Sequence, residues 1–87
     1  MTGQIRRSAA SIAANIAEGH GRENSGTFVQ YLRMAQGSLK ELETHLMLAM
    51  RVDLAREEDI APFLARCDEL GRMIRSLIRS IQRRATK

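Results

Sequence analysis

A chain of 87 residues and 9.8 kDa has room for one small domain, and a charge of +4 with 44% hydrophobic residues argues against bulk disorder. No apolar run approaches the roughly 18 residues of a membrane span, and no signal-peptide pattern opens the chain. The single Cys67 cannot close an internal disulfide, so the expected setting is cytoplasmic; a porin, a disulfide-stapled scaffold and a large enzyme are excluded.

The first element is predicted over about residues 3–18, where Ile5, Ala9, Ile12 and Ile16 recur at spacings of 4, 3 and 4. Such spacing draws an apolar seam along one helix face. Small residues crowd the same stretch: Ser8, Ala9, Ala10, Ser11, Ala13 and Ala14. The segment Gly19 to Gly26 then holds three glycines with Asn24 and Ser25. Gly19 or Gly21 suits a left-handed residue after a helix end, and Asn24 or Ser25 suits the next N-cap. The second helix is expected over about 26–52, with Phe28, Leu32, Ala35, Leu39, Leu42, Leu46 and Ala49 in 4–3 alternation. Gly37 inside it costs about 1 kcal/mol relative to alanine. Either a close helix-to-helix approach needs it, or it is a tolerated surface glycine.

The third helix is expected over about 58–84, with a seam of Ile60, Phe63, Cys67, Leu70, Ile74, Leu77 and Ile81. The seam's phase never slips between Ala49 and Ile60, so one helix from about 27 to 84 is a live alternative. Asp53 and Arg56 fall on seam positions, however, and Pro62 lacks the N–H that a helix interior needs. A turn near 52–58 is favoured, with Asp59 as a possible cap that places Pro62 in a first turn. The fold class is all-α, an up-down bundle of heptad-packed helices in a single domain, 1–87. A short first helix cannot cover two long seams, so apolar surface is expected to stay exposed on Met47, Met50, Met73 or Ile78. Self-association, or a truncated start, is expected.

Two motifs resemble a known family. Gln4 to Gly19, followed by Gly21-Arg22, is similar to the QIRRA-x-x-SIPANIAEG-x-GR signature of four-helix bundle proteins first described as products of intervening sequences in bacterial 23S ribosomal RNA genes. Phe28, Leu32, Ala35, Gly37-Ser38-Leu39 and Glu41-Leu42-Glu43 resemble that family's next stretch, F-x-x-x-L-x-x-A-x-G-S-L-x-E-L-E. The resemblance implies an up-down four-helix bundle, commonly a ring-shaped homopentamer, with no enzymatic activity. Its relatives include the accessory protein of diversity-generating retroelements, a basic oligomer thought to bind nucleic acid. Members carry a long helix before the QIRR motif, whereas three residues precede Gln4 here, and the expectation is a start upstream with a first helix missing. Ala13 stands where the family usually has Pro, which removes the reason for a kink.

The sharpest charge feature is the last helix. Arg72, Arg75, Arg79 and Arg83 fall within about 80° of one another at 100° per residue. With Arg84 and Lys87, the final 16 residues hold six cations and no acid. A row about 16 Å long could span several phosphates; a solvated, arginine-rich face is the competing reading, since 12 of the 14 basic residues are Arg. Arg6, Arg7 and Arg22 are further candidate nucleic-acid contacts. Ser8, Ser11, Asn15 and Glu18 form a polar line on the first helix, with Ser38, Glu41 and Glu43 as partners on the second. This reads as a register-fixing network.

No catalytic residues, metal site or cofactor are expected. His20 and His45 have no evident serine and acid beside them, and one Cys with two His gives no ligand spacing. A Glu41–His45 pair reads as a surface contact, and Cys67 as a small core residue. The expected function is a non-enzymatic homo-oligomer that binds RNA or DNA without sequence preference, since stacking aromatics are scarce. The alternative is a structural, protein-interaction assembly module with no nucleic-acid role.

Overall fold

The three periodic stretches form three α-helices, α1 (Thr2–His20), α2 (Ser25–Arg51) and α3 (Glu57–Ala85). The structure is a computed structural model that describes residues 2–85; Lys87, expected to extend the basic tail, lies outside the described residues. No strand occurs among the described residues. The helix bounds differ from the expected ones by one or two residues, which is the ordinary fraying range.

Asn24 starts α2, its side chain accepting a hydrogen bond from the Thr27 N–H at 3.1 Å. The end of α2 decides between one long helix and two. Asp53 adopts φ 60, Leu54 N–H donates to the Ala49 carbonyl at 2.9 Å, and Asp53 N–H donates to that of Met50 at 3.2 Å. These paired bonds around a left-handed residue make a Schellman cap, so the chain turns over residues 52–56. The left-handed residue is an aspartate, one of the few non-glycine types that tolerate the conformation. Asp59 does not cap α3: the Arg56 carbonyl already accepts from the Asp59 and Ile60 N–H groups. Glu57, Glu58 and Asp59 instead occupy the first turn, where negative charge suits the helix dipole. Pro62 therefore lies in the second turn, not the first, on an exposed side where water can serve the Glu58 carbonyl.

Packing runs through α2. Helix α1 packs on α2 and α3 packs on α2, while no Cα of α1 comes within 8 Å of one in α3. Leu32 and Ala35 of α2 are wholly buried, joined in the core by Ile12 of α1 and by Ile60, Cys67, Ile74 and Ile78 of α3. The molecule is long and thin, 50 × 20 × 13 Å.

Three expectations need correction. Ile78 is buried at 4% exposure, while Leu77 is 40% exposed and Phe63 58%; the buried stripe of α3 passes from Ile74 to Ile78. The inward row is offset from the expected one from the first turns, where Leu64 is half-buried and Phe63 exposed, and it continues through buried Cys67, Gly71 and Ile74 to Ile78, because α3 packs on α2 and turns its Phe63 side to an open groove. Of the other residues expected at the surface, Met47 and Met73 are exposed and Met50 is half-buried.

No glycine is left-handed, so neither Gly19 nor Gly21 terminates α1 in that way. Gly19 lies inside α1, buried, where a Cβ would sit 2.7 Å from Tyr31 Cβ and 2.9 Å from Phe28 Cδ1. It is required for the close approach of α1 to α2. Gly37 is the reverse: a Cβ there meets nothing within 4 Å, and no helix of the same chain approaches it. The close α2–α3 approach is instead at buried Gly71, whose Cβ would lie 3.4 Å from Leu39 Cδ2.

These two glycines give opposite expectations. Gly19→Ala should cost about 1–3 kcal/mol through overpacking, whereas Gly37→Ala should add up to about 1 kcal/mol to the single chain through helix propensity. Urea unfolding at high dilution measures both; an unchanged midpoint for Gly19→Ala would contradict the packing described.

Candidate functional site

Because α1 and α3 both lean on α2 with their backbones held apart, the two sides of the molecule differ. Between α1 and α3 lies an open groove of about 410 Å³ floored by Leu42 and Leu46 and walled by Ile5, Ala9, Phe63 and Leu70. It is almost wholly apolar, with Arg66 at its rim. Two further clefts along the helix seams carry polar and charged side chains. One, of about 380 Å³, lies along the α1–α2 seam and is lined by Gln4, Arg7, Ser8, Ser11, Glu41 and His45. Another follows the α2–α3 seam past Gln36, Lys40, Glu43, Asp68 and Arg75.

The polar line on α1 is partly assembled as expected. Ser11 Oγ and Ser38 Oγ lie 2.8 Å apart across the α1–α2 contact, and Asn15 Nδ2 donates to the Ser11 carbonyl at 2.9 Å and to its hydroxyl at 3.2 Å. Small side chains let the helices come this close, and the shared hydroxyl pair fixes their register. Glu18 does not join: it turns outward to pair with Arg22. Glu41 is exposed and has no hydrogen bond or ion pair among the described residues. His45, read from sequence as part of a surface pair, faces the α1–α2 cleft, and its Nδ1 is buried without a hydrogen-bond partner. Its i,i+4 relation to Glu41 was the only signal in the sequence.

The eight candidate arginines do not form one patch. Arg6 and Arg7 are on α1, which never reaches α3. Arg22, in the loop after α1, is held within the chain by the ion pair with Glu18, a contact from Nη2 to Tyr31 Oη at 3.3 Å, and its guanidinium 5.5 Å from the Tyr31 ring centre. Tyr31 first, then Glu18, raises its pKa. On α3, Arg72 pairs with Asp68 at 2.9 Å. Arg75 and Arg79 are exposed and carry no ion pair among the described residues. Arg83 is exposed along the same row, whereas exposed Arg84 is rotated about 100° from it, toward the groove side.

Burial, and secondarily Glu43, raises the pKa of Cys67, which suits an inert core thiol. No group of three or more metal-ligating side chains occurs among the described residues, and no described helix is long and apolar enough to cross a membrane.

A crystal structure of a protein of unknown function from the S23 ribosomal protein family of Bacteroides thetaiotaomicron superposes with a TM-score of 0.86 at 29% identity, covering 90% of this chain and 72% of that one. No curated protein matches. A family model described as 23S rRNA-intervening sequence protein matches residues 1–76. That match spans both motifs and most of all three helices, and the chain belongs to the 23S rRNA-intervening sequence protein family.

Proposed function

We propose that the chain is a non-enzymatic, self-associating helical module that binds nucleic-acid backbones through the basic side of α3. The observation that carries the reading is the state of Arg75 and Arg79. Both are exposed, one turn apart on one side of α3, with no ion pair among the described residues to satisfy them. No acid follows Glu69 in the sequence, so the field of the row is strongest toward Arg79 and Arg83, while Arg75 shares the α2–α3 cleft with Glu43 and Asp68. Arg72 and Arg83 extend the row at either end. Guanidinium groups at this spacing suit successive phosphate oxygens, and a helix face without aromatics reads charge and not bases.

Self-association is supported by area. The chain exposes 6309 Å², against roughly 5,200 Å² for a compact monomer of its mass. The excess is comparable to one partner's share of a standard interface, about 800 Å². Repeating the arginine row in an oligomer multiplies its field.

A second reading, a structural assembly partner for another protein, is favoured by Phe63, Met73 and Leu77, which stand exposed along one side of α3. Titration separates the two. Duplex DNA and structured RNA should bind at low salt with little sequence preference, log affinity falling by roughly 0.9 per decade of salt for each phosphate contacted on DNA. Arg75→Glu with Arg79→Glu should weaken binding by at least about tenfold and leave assembly intact. Salt-independent affinity, or no binding at low salt, would reject the nucleic-acid reading and leave the structural one.

A further inference from the structure

The cleft along the α1–α2 seam gathers polar groups that the chain itself leaves unused. The Ser11–Ser38 pair sets the antiparallel register of the two helices. Stepping back along α1 and forward along α2 brings Ser8 level with Glu41 and Gln4 level with His45, and all four line one space of about 380 Å³. Ser8 is 5% exposed, yet its hydroxyl makes no hydrogen bond among the described residues. On the facing helix, Nδ1 of His45 is buried and equally without a partner. Buried polar atoms are nearly always hydrogen-bonded, and here two orphans face one cleft. Gln4, Arg7 and Glu41 stand at its exposed edge, and none of their side chains has a hydrogen bond or ion pair among the described residues. Ser8 occupies the position of Ala in the QIRRA signature, so its hydroxyl is not part of what marks the family.

We infer that this cleft is a binding site for a small zwitterion, an α-amino acid with a short polar side chain, held between α1 and α2. Charge decides the class. Arg7 and Glu41 line the cleft from opposite helices without pairing with each other. A simple anion meets Arg7 but is repelled by Glu41, and a metal ion or plain amine meets Glu41 but is repelled by Arg7. A molecule carrying both charges satisfies both. Its carboxylate accepts from the Arg7 guanidinium, and its ammonium donates to the Glu41 carboxylate. A hydroxyl or amide on its side chain, able to donate and to accept, suits the Ser8 hydroxyl and His45 Nδ1. The volume falls within the range of small-molecule sites, roughly 300–1,000 Å³. Because Arg7 and Glu41 are exposed, solvent and salt screen their attraction, and the affinity is modest, about millimolar. The site exists only while α1 is docked on α2, so its occupant stabilises that contact. It shares no residue with the arginine row of α3 and is independent of nucleic-acid binding.

Titration of the full chain with L-serine, followed by its amide and imidazole NMR signals, tests the site. Saturable shifts centred on Ser8, Glu41 and His45 are expected, with a dissociation constant of about a millimolar. Acetate and ethylamine each carry one of the two charges and should bind at least about tenfold more weakly than serine. Arg7→Gln and Glu41→Gln, both at exposed positions that leave the helical circular dichroism intact, should each weaken serine binding by about tenfold. Ser8→Ala should weaken serine more than glycine, which has no side-chain hydroxyl to lose. An absence of shifts through tens of millimolar serine would overturn the proposal. Acetate binding as tightly as serine would make the cleft an anion site, and Zn²⁺ taken up at His45 in preference to serine would make it a metal site; either result overturns the zwitterion. Shifts unchanged in both charge variants would put serine elsewhere on the chain and overturn it as well.

Discussion

Everything in this molecule hangs on α2 serving two partners from one stripe. Leu32, Ala35, Leu39 and Leu46 lie in a core that residues of both flanking helices join, yet the backbones of α1 and α3 stay more than 8 Å apart, Cα to Cα. A helix bundle closes when every apolar stripe faces another; with α1 and α3 held apart, the groove between them keeps Leu42, Leu70 and Phe63 in reach of solvent. The thinness of the molecule and its surplus surface are consequences of this geometry. So is the separation of an almost wholly apolar groove from the seam clefts, which carry charged side chains.

The two helix contacts are built differently. Between α1 and α2 the approach is close, held by Gly19 against Phe28 and Tyr31 and by the Ser11–Ser38 hydroxyl pair. A polar bond of this kind contributes modestly to stability but penalises any slipped register that leaves it unmade. Between α2 and α3 the contact is apolar, with Gly71 letting Leu39 sit against the α3 backbone. Arginines are distributed accordingly: Arg22 is consumed in fastening the loop, whereas Arg75 and Arg79 on α3 are left to solvent. Charge that the fold does not use is the charge available to a partner.

Much of this was legible in the sequence. The 3–4 rhythm gives three helices, Asn24 announces its cap, and the polar line of Ser11 and Asn15 finds Ser38. What was hidden has physical causes. The turn near 52–58 was legible from Asp53, Arg56 and Pro62, but its Schellman form was not, because its left-handed residue is Asp53 and no glycine marks it. On α3 two adjacent rows both read as apolar, one through Phe63 and Leu77 and one through Leu64 and Ile78, and spacing alone does not say which of them turns to α2; the second does. Sequence also cannot say which mid-helix glycine meets a neighbour: Gly71 does, and Gly37 does not within one chain. The arginines looked like one set because spacing along a helix says nothing of which helices adjoin.

Small-angle scattering of the 87-residue chain across a concentration series tests the central claim most directly, that one copy leaves more surface than it can shelter. A lone chain has a Cα radius of gyration of 14.6 Å and a mass of 9.8 kDa. The account predicts a forward-scattering mass that rises with concentration to at least two chains, with a radius above the single-chain value. A mass fixed at one chain, with a radius near 14.6 Å at every concentration, would contradict it.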